Sequence, residues 1–234
     1  MKRIKILIVV TSTGMYPGGK LRTGLWISEL THIYDSAKKR GYEPVVVSPK
    51  GGDTPVDPVS LNPIYLDKLS RGYWVNPEFR DILRHTKRLN EASGQSYDCI
   101  YLAGGHGSMF DFPDDAVLQS LVRDHYESGK MVCAICHGVC GLLNVKLSDG
   151  CYLIKGKTLT GFSWLEELLA GRKNFVPFNL EAALKKRGAN YRKAFIPTVP
   201  EVVVDGNLVT GEDPFSSRKM ARVVMRQFDK QQKI

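Results

Sequence analysis

Residues 131–138 read Met-Val-Cys-Ala-Ile-Cys-His-Gly, and they place a potential nucleophile where an apolar run meets a helical pattern. Met131–Cys136 is typical of a strand covered on both faces, and a helical pattern follows over 138–145. A reactive side chain at such a strand-to-helix turn, with Gly138 close behind it, projects into the crevice at the sheet edge. Helix amides near the sulfur favour the thiolate, so we expect the pKa of Cys136 to lie below its free value of about 8.5.

The same alternation of strand and helix patterns extends along the chain in both directions. Further strands are predicted over Ile4–Val10, Pro44–Ser48, Asp98–Ala103 and, more weakly, Val202–Val204 with Leu208–Thr210. Further helices are predicted over Leu25–Arg40, Ala116–Ser128, Leu180–Arg187 and Pro214–Phe228. This order predicts an α/β protein with a flavodoxin-like, doubly wound and mostly parallel sheet between helices. The length of 234 residues is compatible with one domain over 1–234.

A long segment, residues 50–96, interrupts this rhythm between the second and third predicted strands. It is far longer than one crossover helix needs, and long insertions in compact domains are usually functional or flexible. Its aromatic residues favour an ordered, cap-like insertion; they are Tyr65, Tyr73, Trp74 and Phe79.

Composition excludes several classes of protein. The hydrophobic fraction of 43% and charged fraction of 24% argue against disorder, and no run approaches the ~18 apolar residues of a membrane helix. Met1–Arg3 and the apolar Ile6–Val10 superficially resemble a signal peptide, but no cleavage site follows. We therefore expect a first buried strand and a cytoplasmic protein. The net charge of +9 is spread along the chain, with the basic residues densest in Lys68–Arg88 and Arg218–Lys233, and this spread argues against a nucleic-acid partner.

Five cysteines in a cytosolic protein are expected to be thiols. Cys136 is predicted to be functional, and the other four are predicted to fill the core: Cys99, Cys133, Cys140 and Cys151. Cys133-x-x-Cys136 matches a redox spacing and, with His137, a haem-attachment motif. Residues three apart on a strand point to opposite faces and lie roughly 10 Å apart, beyond the ~7 Å a disulfide allows. Both matches are therefore rejected.

Two other strand ends carry polar or small residues. Thr11-Ser12-Thr13-Gly14 follows the first strand and precedes a helix that contains Glu29, and Ala103-Gly104-Gly105-His106-Gly107 ends the third strand. The glycine turn lacks the lysine and spacing of a phosphate-binding loop. Its amides, with the N–H of His137, could instead form an oxyanion hole opposite Cys136.

The positions of the five histidines exclude two kinds of catalytic triad, because none of them lies after residue 137. Glutamine amidotransferases and α/β-hydrolases place their catalytic histidine downstream of the nucleophile, so neither triad can be assembled. We expect His137 to be the only histidine beside Cys136, in the order Cys, His and then an acid. Metal-binding motifs are absent, and no metal is predicted.

Taken together, these motifs resemble the DJ-one/ThiJ/PfpI superfamily, whose fold is of the class I glutamine amidotransferase type, and in particular its heat-shock chaperone and glyoxalase III-like branch. The resemblance covers nearly the whole chain. The motifs that carry it are Thr23–Glu29, Ala103–Gly107 with Asp111-Phe112-Pro113, Ala134–Gly138, Gly156-Lys157-x-x-Thr160-Gly161-Phe162 and Leu208–Gly211.

The resemblance implies roles by position. Cys136 would be the nucleophile, His137 its general base or acid, and Glu29 the acid that contacts the sulfur. Gly105 and His137 would supply oxyanion-hole amides. The triad acid falls a few residues beyond Thr-Gly-Phe, at Glu167 or at the adjacent Glu166, with Glu167 preferred. Val139-Cys140-Gly141 departs from the pattern, in which proline or alanine and no second thiol would be expected.

The function implied is a glutathione-independent glyoxalase that converts methylglyoxal and related 2-oxoaldehydes into 2-hydroxy acids, with no metal or organic cofactor. Thiolate attack would give a hemithioacetal, His137 or Glu29 would move a proton through an enediol, and the thioester would hydrolyse. Two alternatives remain open at this point. One is a stress-response holdase chaperone with a redox-sensing cysteine and unfolded client proteins on the aromatics of residues 50–96. The other is a small cysteine peptidase or amidase. A homodimer is also implied.

Overall fold

The computed structural model of the protein describes residues 4–231, which are organised around a seven-stranded sheet. The strands of the chain are β1 (Lys5–Val9), β2 (Glu43–Ser48), β3 (Lys87–Arg88), β4 (Cys99–Leu102), β5 (Met131–Ile135), β6 (Thr158–Leu159), β7 (Asn190–Tyr191), β8 (Val202–Asp205) and β9 (Leu208–Gly211). The sheet order is β3-β2-β1-β4-β5-β9-β8, and only β8 is antiparallel to its neighbour. Strands β6 and β7 form a separate parallel pair.

Helices connect these strands. They are α1 (Ile27–Lys39), α2 (Lys68–Val75), α3 (Pro77–Arg84), α4 (Ser108–Asp111), α5 (Ala116–Glu127), α6 (Trp164–Leu169), α7 (Leu180–Lys186) and α8 (Ser217–Gln231). Short 3₁₀ segments lie at Pro58–Leu61, Leu89–Ala92, Cys136–Leu142 and Pro214–Ser216. None of the helices within residues 4–231 combines the length and the apolar character required to cross a membrane.

Both faces of the central strands are buried, because successive side chains of a strand point to opposite sides. Ile6 and Ile8 of β1 lie in a cluster with α1 and α8, whereas Leu7 and Val9 lie in a cluster with α5, α7 and the segment after β5. Each fully buried Leu or Ile contributes roughly 1.5–3 kcal/mol. This double coverage explains the non-alternating apolar runs, and the predicted α/β class with a mostly parallel sheet is confirmed.

Several elements differ from the sequence prediction. The edge strand β3 lies within the segment 50–96, which was predicted to be a cap between the second and third strands of the sheet. The helix predicted over 138–145 is a 3₁₀ segment, Cys136–Leu142, that begins at the cysteine itself. Helix α6 was not predicted, because six residues are too few for a helical period to be recognised. Of the amino-terminal residues considered for a signal peptide, Met1–Arg3 lie outside the described residues.

The insertion over residues 50–96 is ordered around α2 and α3. The ring of Phe79 on α3 is 2% exposed and packs edge-on to Tyr34 of α1, with centroids 5.2 Å apart. Tyr73 of α2 packs on the same ring of Tyr34 at 5.7 Å. Because these two rings hold the insertion against α1, they are not available as the client surface that the chaperone hypothesis placed on them.

Candidate active site

The turn after β5 holds Cys136 in a strained backbone conformation. Its φ of 56° lies in the left-handed region, which side chains other than glycine rarely adopt. The neighbouring glycines permit this turn: a Cβ on Gly138 would lie 2.5 Å from the Leu102 carbonyl oxygen, and one on Gly104 would lie 2.6 Å from the Ile135 oxygen. The ends of β4 and β5 can therefore approach each other only without side chains at these positions.

Cys136 begins a hydrogen-bonded series of side chains. Its Sγ lies 3.3 Å from Nδ1 of His137, and Nε2 of His137 lies 2.8 Å from Oε2 of Glu167. The other oxygen of Glu167, Oε1, lies 2.8 Å from Nε2 of His106. All four side chains are buried. Glu167 thus accepts from two imidazoles, which leaves Nδ1 of His137 free to accept the proton of the thiol.

The charges of this group are set by burial and by mutual contact. Burial alone would raise the pKa of Glu167, but the charge of His137 and the hydrogen bonds from both histidines hold it well below its ordinary value. Burial, and then the charge of His137, lower the pKa of His106. Glu167 is therefore an ionised acceptor that orients the imidazole of His137 toward the sulfur.

Glu29 lies on the other side of the sulfur, in the first turn of α1. Its Oε2 accepts a 2.6 Å hydrogen bond from the amide of Gly104, and its carboxyl contacts the thiol of Cys136. Complete burial raises the pKa of Glu29 to about 8, against lowering contributions from Gly104 and Cys136. Oε1 of Glu29 receives no hydrogen bond from any of the described residues. A protonated Glu29 that donates a hydrogen bond to the sulfur therefore fits the site best.

The prediction of an acidified thiol is wrong for this buried site. Burial raises the pKa of Cys136, the charge of Glu29 raises it further, and the single amide of His137 lowers it only in part. The sequence indicates the favourable amide, but not that Cys136 is 1% exposed and lies beside a carboxyl. Attack by Cys136 therefore depends on removal of its proton by Nδ1 of His137 and on a protonated Glu29.

Glu29→Gln is expected to change the pH dependence of stability. The pKa of Glu29 is about 8 in the folded chain, so the folded state holds a proton that the unfolded chain loses near its ordinary value. Wild type therefore loses stability as pH rises between about 5 and 8, by about 1.4 kcal/mol per pH unit for this one group, and the variant is spared this loss. Urea unfolding at pH 5, 6, 7 and 8 measures the difference.

Glu181→Gln is the matched control for this experiment. Burial alone would raise the pKa of Glu181, but hydrogen bonds from Lys185, the Trp164 amide and Lys193 hold it below the ordinary value. Its free energy of unfolding should follow that of wild type between pH 5 and 8. Parallel curves for Glu29→Gln and wild type would contradict the assignment of a buried, protonated Glu29.

The two predicted oxyanion-hole amides lie at the glycine turn and at the elbow. Gly105 has a φ of +100°, and a Cβ there would meet the Gly24 carbonyl oxygen at 2.2 Å. Its N–H has no hydrogen-bond acceptor among residues 4–231. The N–H of His137 lies close enough to Cys136 to lower the pKa of its thiol. The neighbouring amide of Gly104 is already bonded to Glu29, so it is not a candidate.

A cavity of about 270 Å³ opens above the sulfur. Its walls include Trp26 and Phe162, and residues of the insertion contribute to it through Asp57, Val59 and Tyr65. Glu166 and Glu167, which the sequence could not separate, point in different directions. Glu166 lines the cavity, whereas Glu167 lies behind His137 and bonds to the histidines.

Two expectations about individual residues are corrected. His137 is not the only histidine beside Cys136, because the ring of His106 lies 4.0 Å from that of His137, between centroids. The signal available was the position of His106 in the glycine turn, where only the amides were considered. Cys151, predicted to be in the core, is exposed because it lies in a turn in which Asp149 accepts from its amide.

His106, His137 and Glu167 are also a group whose donor atoms lie within 4.8 Å of one another. Two imidazoles and a carboxylate are ligands that divalent transition metals accept. Both histidine Nε2 atoms already bond to Glu167, so a cation could enter only by replacing those hydrogen bonds. The arrangement supports proton transfer at Cys136 more directly than metal binding.

A strained cysteine elbow at the carboxyl edge of a parallel sheet, with a histidine and an acid behind it, defines a class of cysteine-nucleophile α/β proteins. The DJ-1/PfpI family matches residues 24–227, and the chain belongs to that family. Glyoxalase 3 of Candida albicans is 31% identical over 97% of this chain and 99% of its own length. The glutathione-independent glyoxalase HSP31 of Saccharomyces cerevisiae is 30% identical, over 93% of this chain and 94% of its own length.

Solved structures agree with this placement. The rapid encystment protein REP24 of Francisella tularensis superposes with a TM-score of 0.90 at 35% identity, covering 95% of this chain and 98% of that one. Glyoxalase III of Candida albicans superposes with a TM-score of 0.86 at 31% identity, covering 95% and 96%. Drosophila melanogaster DJ-1beta, at 18% identity and a TM-score of 0.61 over 97% and 90%, shares the fold.

Proposed function

We propose that the protein is a glutathione-independent glyoxalase that converts methylglyoxal and related 2-oxoaldehydes into 2-hydroxy acids through Cys136. The observation that carries this proposal is the alignment of Cys136 Sγ, His137 and Glu167 in hydrogen-bond series at the floor of a small cavity. Relatives that are named glyoxalases and cover nearly the whole chain support the same reaction.

The first step is addition of the sulfur to the aldehyde carbon. Nδ1 of His137, 3.3 Å from Sγ, takes the thiol proton as the carbon–sulfur bond forms. The aldehyde oxygen becomes the hemithioacetal oxygen. The N–H groups of Gly105 and His137 would stabilise its negative charge until protonated His137 returns the thiol proton to it.

The hydrogen on the aldehyde carbon must then leave as a proton and return to the neighbouring carbon. The two candidate bases are His137, whose Nδ1 is free again once it has returned the thiol proton, and Glu29, which can accept a proton only after losing its own. Movement through an enediol gives a thioester on Cys136, and water releases the 2-hydroxy acid and restores the thiol. No oxidant or reductant is consumed, since the carbons exchange oxidation states within one molecule.

The size and lining of the cavity suit a small substrate. About 270 Å³ is below the range of pockets that hold drug-sized ligands, and a three-carbon 2-oxoaldehyde fits within it. Trp26, Phe162 and Phe215 provide apolar walls, and Arg172 provides one positive charge.

The experiment that tests the proposal is product analysis with purified protein and methylglyoxal, in the absence of glutathione. One lactate is expected per methylglyoxal consumed, with phenylglyoxal also turned over. The matched control is 2,3-butanedione, which has two ketones and no aldehyde hydrogen to move, so no 2-hydroxy acid should form from it. Absence of lactate together with steady hydrolysis of peptide substrates would contradict the proposal and favour a peptidase or amidase.

A holdase chaperone is the second candidate, because several large apolar side chains are exposed in and near α6 and the loop before β8. Phe195 is fully exposed, and Ile196 and Leu169 are 60% and 69% exposed. If this surface binds unfolded clients, suppression of client aggregation should be equal for wild type and for Cys136→Ala. Loss of suppression in the variant would instead connect client binding to the thiol.

We place the protein in the cytoplasm, where its cysteines remain thiols, and expect it to act as a homodimer like other members of the family. All five cysteines are unpaired in the structure, which is compatible with a reducing compartment. Sedimentation of the purified chain measures the oligomeric state directly.

A further inference from the structure

Glu166 and Asp213 form a buried carboxyl pair in the cavity wall that the reaction steps above do not use. Asp213 follows β9, which is the parallel neighbour of β5 with Gly211 opposite Ile135. The two strands therefore deliver Asp213 and Cys136 to the same edge of the sheet. Glu166 reaches the cavity from the first turn of α6, and both carboxyl groups line it together with Cys136.

One oxygen of each carboxyl group accepts hydrogen bonds from a serine three residues away in the chain. Ser216 donates from its amide at 2.9 Å and from its hydroxyl at 2.6 Å to Oδ1 of Asp213. Ser163 donates from its amide at 3.1 Å and from its hydroxyl at 2.7 Å to Oε2 of Glu166. These bonds fix the orientation of both side chains, so the second oxygen of each carboxyl group also has a fixed position.

The second carboxyl oxygen of Asp213, Oδ2, accepts no hydrogen bond from the described residues. Asp213 is 1% exposed. Its neighbour is the carboxyl of Glu166, with which it is in hydrogen-bond contact. Two ionised carboxylates both accept and cannot bond to each other, so this contact becomes a hydrogen bond only when one of them carries a proton.

Other charges around the pair favour retention of that proton. Burial, and then the nearby carboxyl of Glu166, raise the pKa of Asp213 to about 7 against the lowering effect of the bonds from Ser216. Glu29 and Cys136 both experience the charge of Asp213, and Glu212 adjoins it in the chain. Arg172 is the cation in the same wall.

We propose that Glu166 and Asp213 are catalytic residues that share one proton, give it to the keto oxygen of the bound 2-oxoaldehyde, and take the proton of the adjacent hydroxyl in return. This inference rests on the proposed glyoxalase function. The hemithioacetal, CH₃–CO–CH(OH)–S, and the thioester, CH₃–CH(OH)–CO–S, are isomers. One hydrogen must move between the two carbons and another between the two oxygens.

The pair supplies the second of these transfers. As the base at the sulfur side removes the carbon-bound proton, the keto oxygen accepts the shared proton and a cis-enediol forms. As the proton returns to the second carbon, the first hydroxyl gives its proton to the pair and becomes the thioester carbonyl. The pair begins and ends each cycle with one proton, and the carbon-bound proton never passes through it.

The test is kinetic analysis of Asp213→Asn and Glu166→Gln. Asparagine and glutamine retain the oxygens that accept from Ser216 and Ser163, so the local structure is kept, but an amide cannot exchange a proton. Each variant should lower kcat with methylglyoxal by about 10²-fold, the scale of a lost general acid–base group. The double variant should lose little more than either single one, since the two groups act as a unit.

Addition to the thiol should survive in both variants. Methylglyoxal should still protect Cys136 from iodoacetamide, because hemithioacetal formation does not use the pair. Wild-type kcat should also fall as pH rises past about 7, where Asp213 loses its proton, and Asp213→Asn should lack this decline. The decline should persist in Glu212→Gln, the matched control.

Glu212 is suited to that control because, like Asp213, it is buried, and burial raises its pKa to about 8. Unlike Asp213, it accepts a hydrogen bond from the Ala194 amide and does not line the cavity. Glu212→Gln should keep wild-type turnover. Wild-type turnover in both Asp213→Asn and Glu166→Gln, or an equal loss in Glu212→Gln, would overturn the role of the pair while leaving the glyoxalase proposal intact. Absence of lactate from wild type would overturn both.

Discussion

Cys136→Ala is expected to abolish conversion of methylglyoxal to lactate while the fold is retained. The sulfur is the atom that would carry both the hemithioacetal and the thioester, and Cys136 is the one cysteine that lines the cavity within residues 4–231. Removal of a nucleophile that acts with a base and an acid costs on the order of 10⁴-fold or more in kcat. Lactate formation over hours, with far-UV circular dichroism on the same samples, measures the effect.

Cys140→Ala is the matched control for that variant. Cys140 lies four residues further along the same 3₁₀ segment, is equally buried, and donates to the Ser108 carbonyl at 3.3 Å. Its loss removes a thiol without touching His137 or Glu29, so turnover should stay near that of wild type. Wild-type turnover in Cys136→Ala, or loss in Cys140→Ala alone, would show that the nucleophile has been assigned to the wrong sulfur.

Glu167→Gln is expected to lower kcat by about 10²- to 10⁴-fold through the protonation of His137. Glu167 accepts from Nε2 of both His137 and His106, at 2.8 Å each. A glutamine side chain has one oxygen, which accepts from one imidazole, and one NH₂ group, which donates. The second imidazole must therefore accept a hydrogen bond at its Nε2. If that imidazole is His137, its proton moves to Nδ1 and it can no longer take the proton of the thiol. Steady-state kinetics and the rate of Cys136 alkylation measure both consequences.

Glu181→Gln provides the comparison for this loss. Glu181 is another buried acid next to α6, where it accepts from the Trp164 amide at 3.0 Å, but it bonds to lysines rather than histidines. Its substitution should leave both kcat and the alkylation rate near those of wild type. An alkylation rate unchanged in Glu167→Gln would refute the view that Glu167 acts through the tautomer of His137.

The elbow could be predicted from the sequence because its determinants are local. An apolar run, a cysteine and a glycine within residues 131–138 are sufficient to specify a strand that ends in a tight turn. The glycine turn at Gly104 could be placed for the same reason, since parallel strands bring their carboxyl ends to one edge. The α/β class followed from the order of such segments.

The parts that could not be predicted depend on tertiary packing. His106 and Glu167 are 61 residues apart in the chain, and no local pattern indicates that they meet. Glu166 and Glu167 are adjacent in sequence, so their separate directions depend on how α6 lies against the sheet. The raised pKa of Cys136 likewise follows from burial beside Glu29, which the chain brings together across 107 residues.

The strand ends and the segments that connect the strands form different parts of this cavity. This division affects how the substrate specificity of the protein could change by mutation. Cys136 is held at the end of β5, where the close approach of β4 and β5 leaves no space for a Cβ at Gly104 or Gly138. The facing walls come from the insertion, from α6 and from the segment after β9, through Tyr65, Leu169 and Phe215. Substitutions in these walls can reshape the cavity without straining the elbow, so new substrates can be acquired by mutation in connecting segments while the nucleophile stays unchanged.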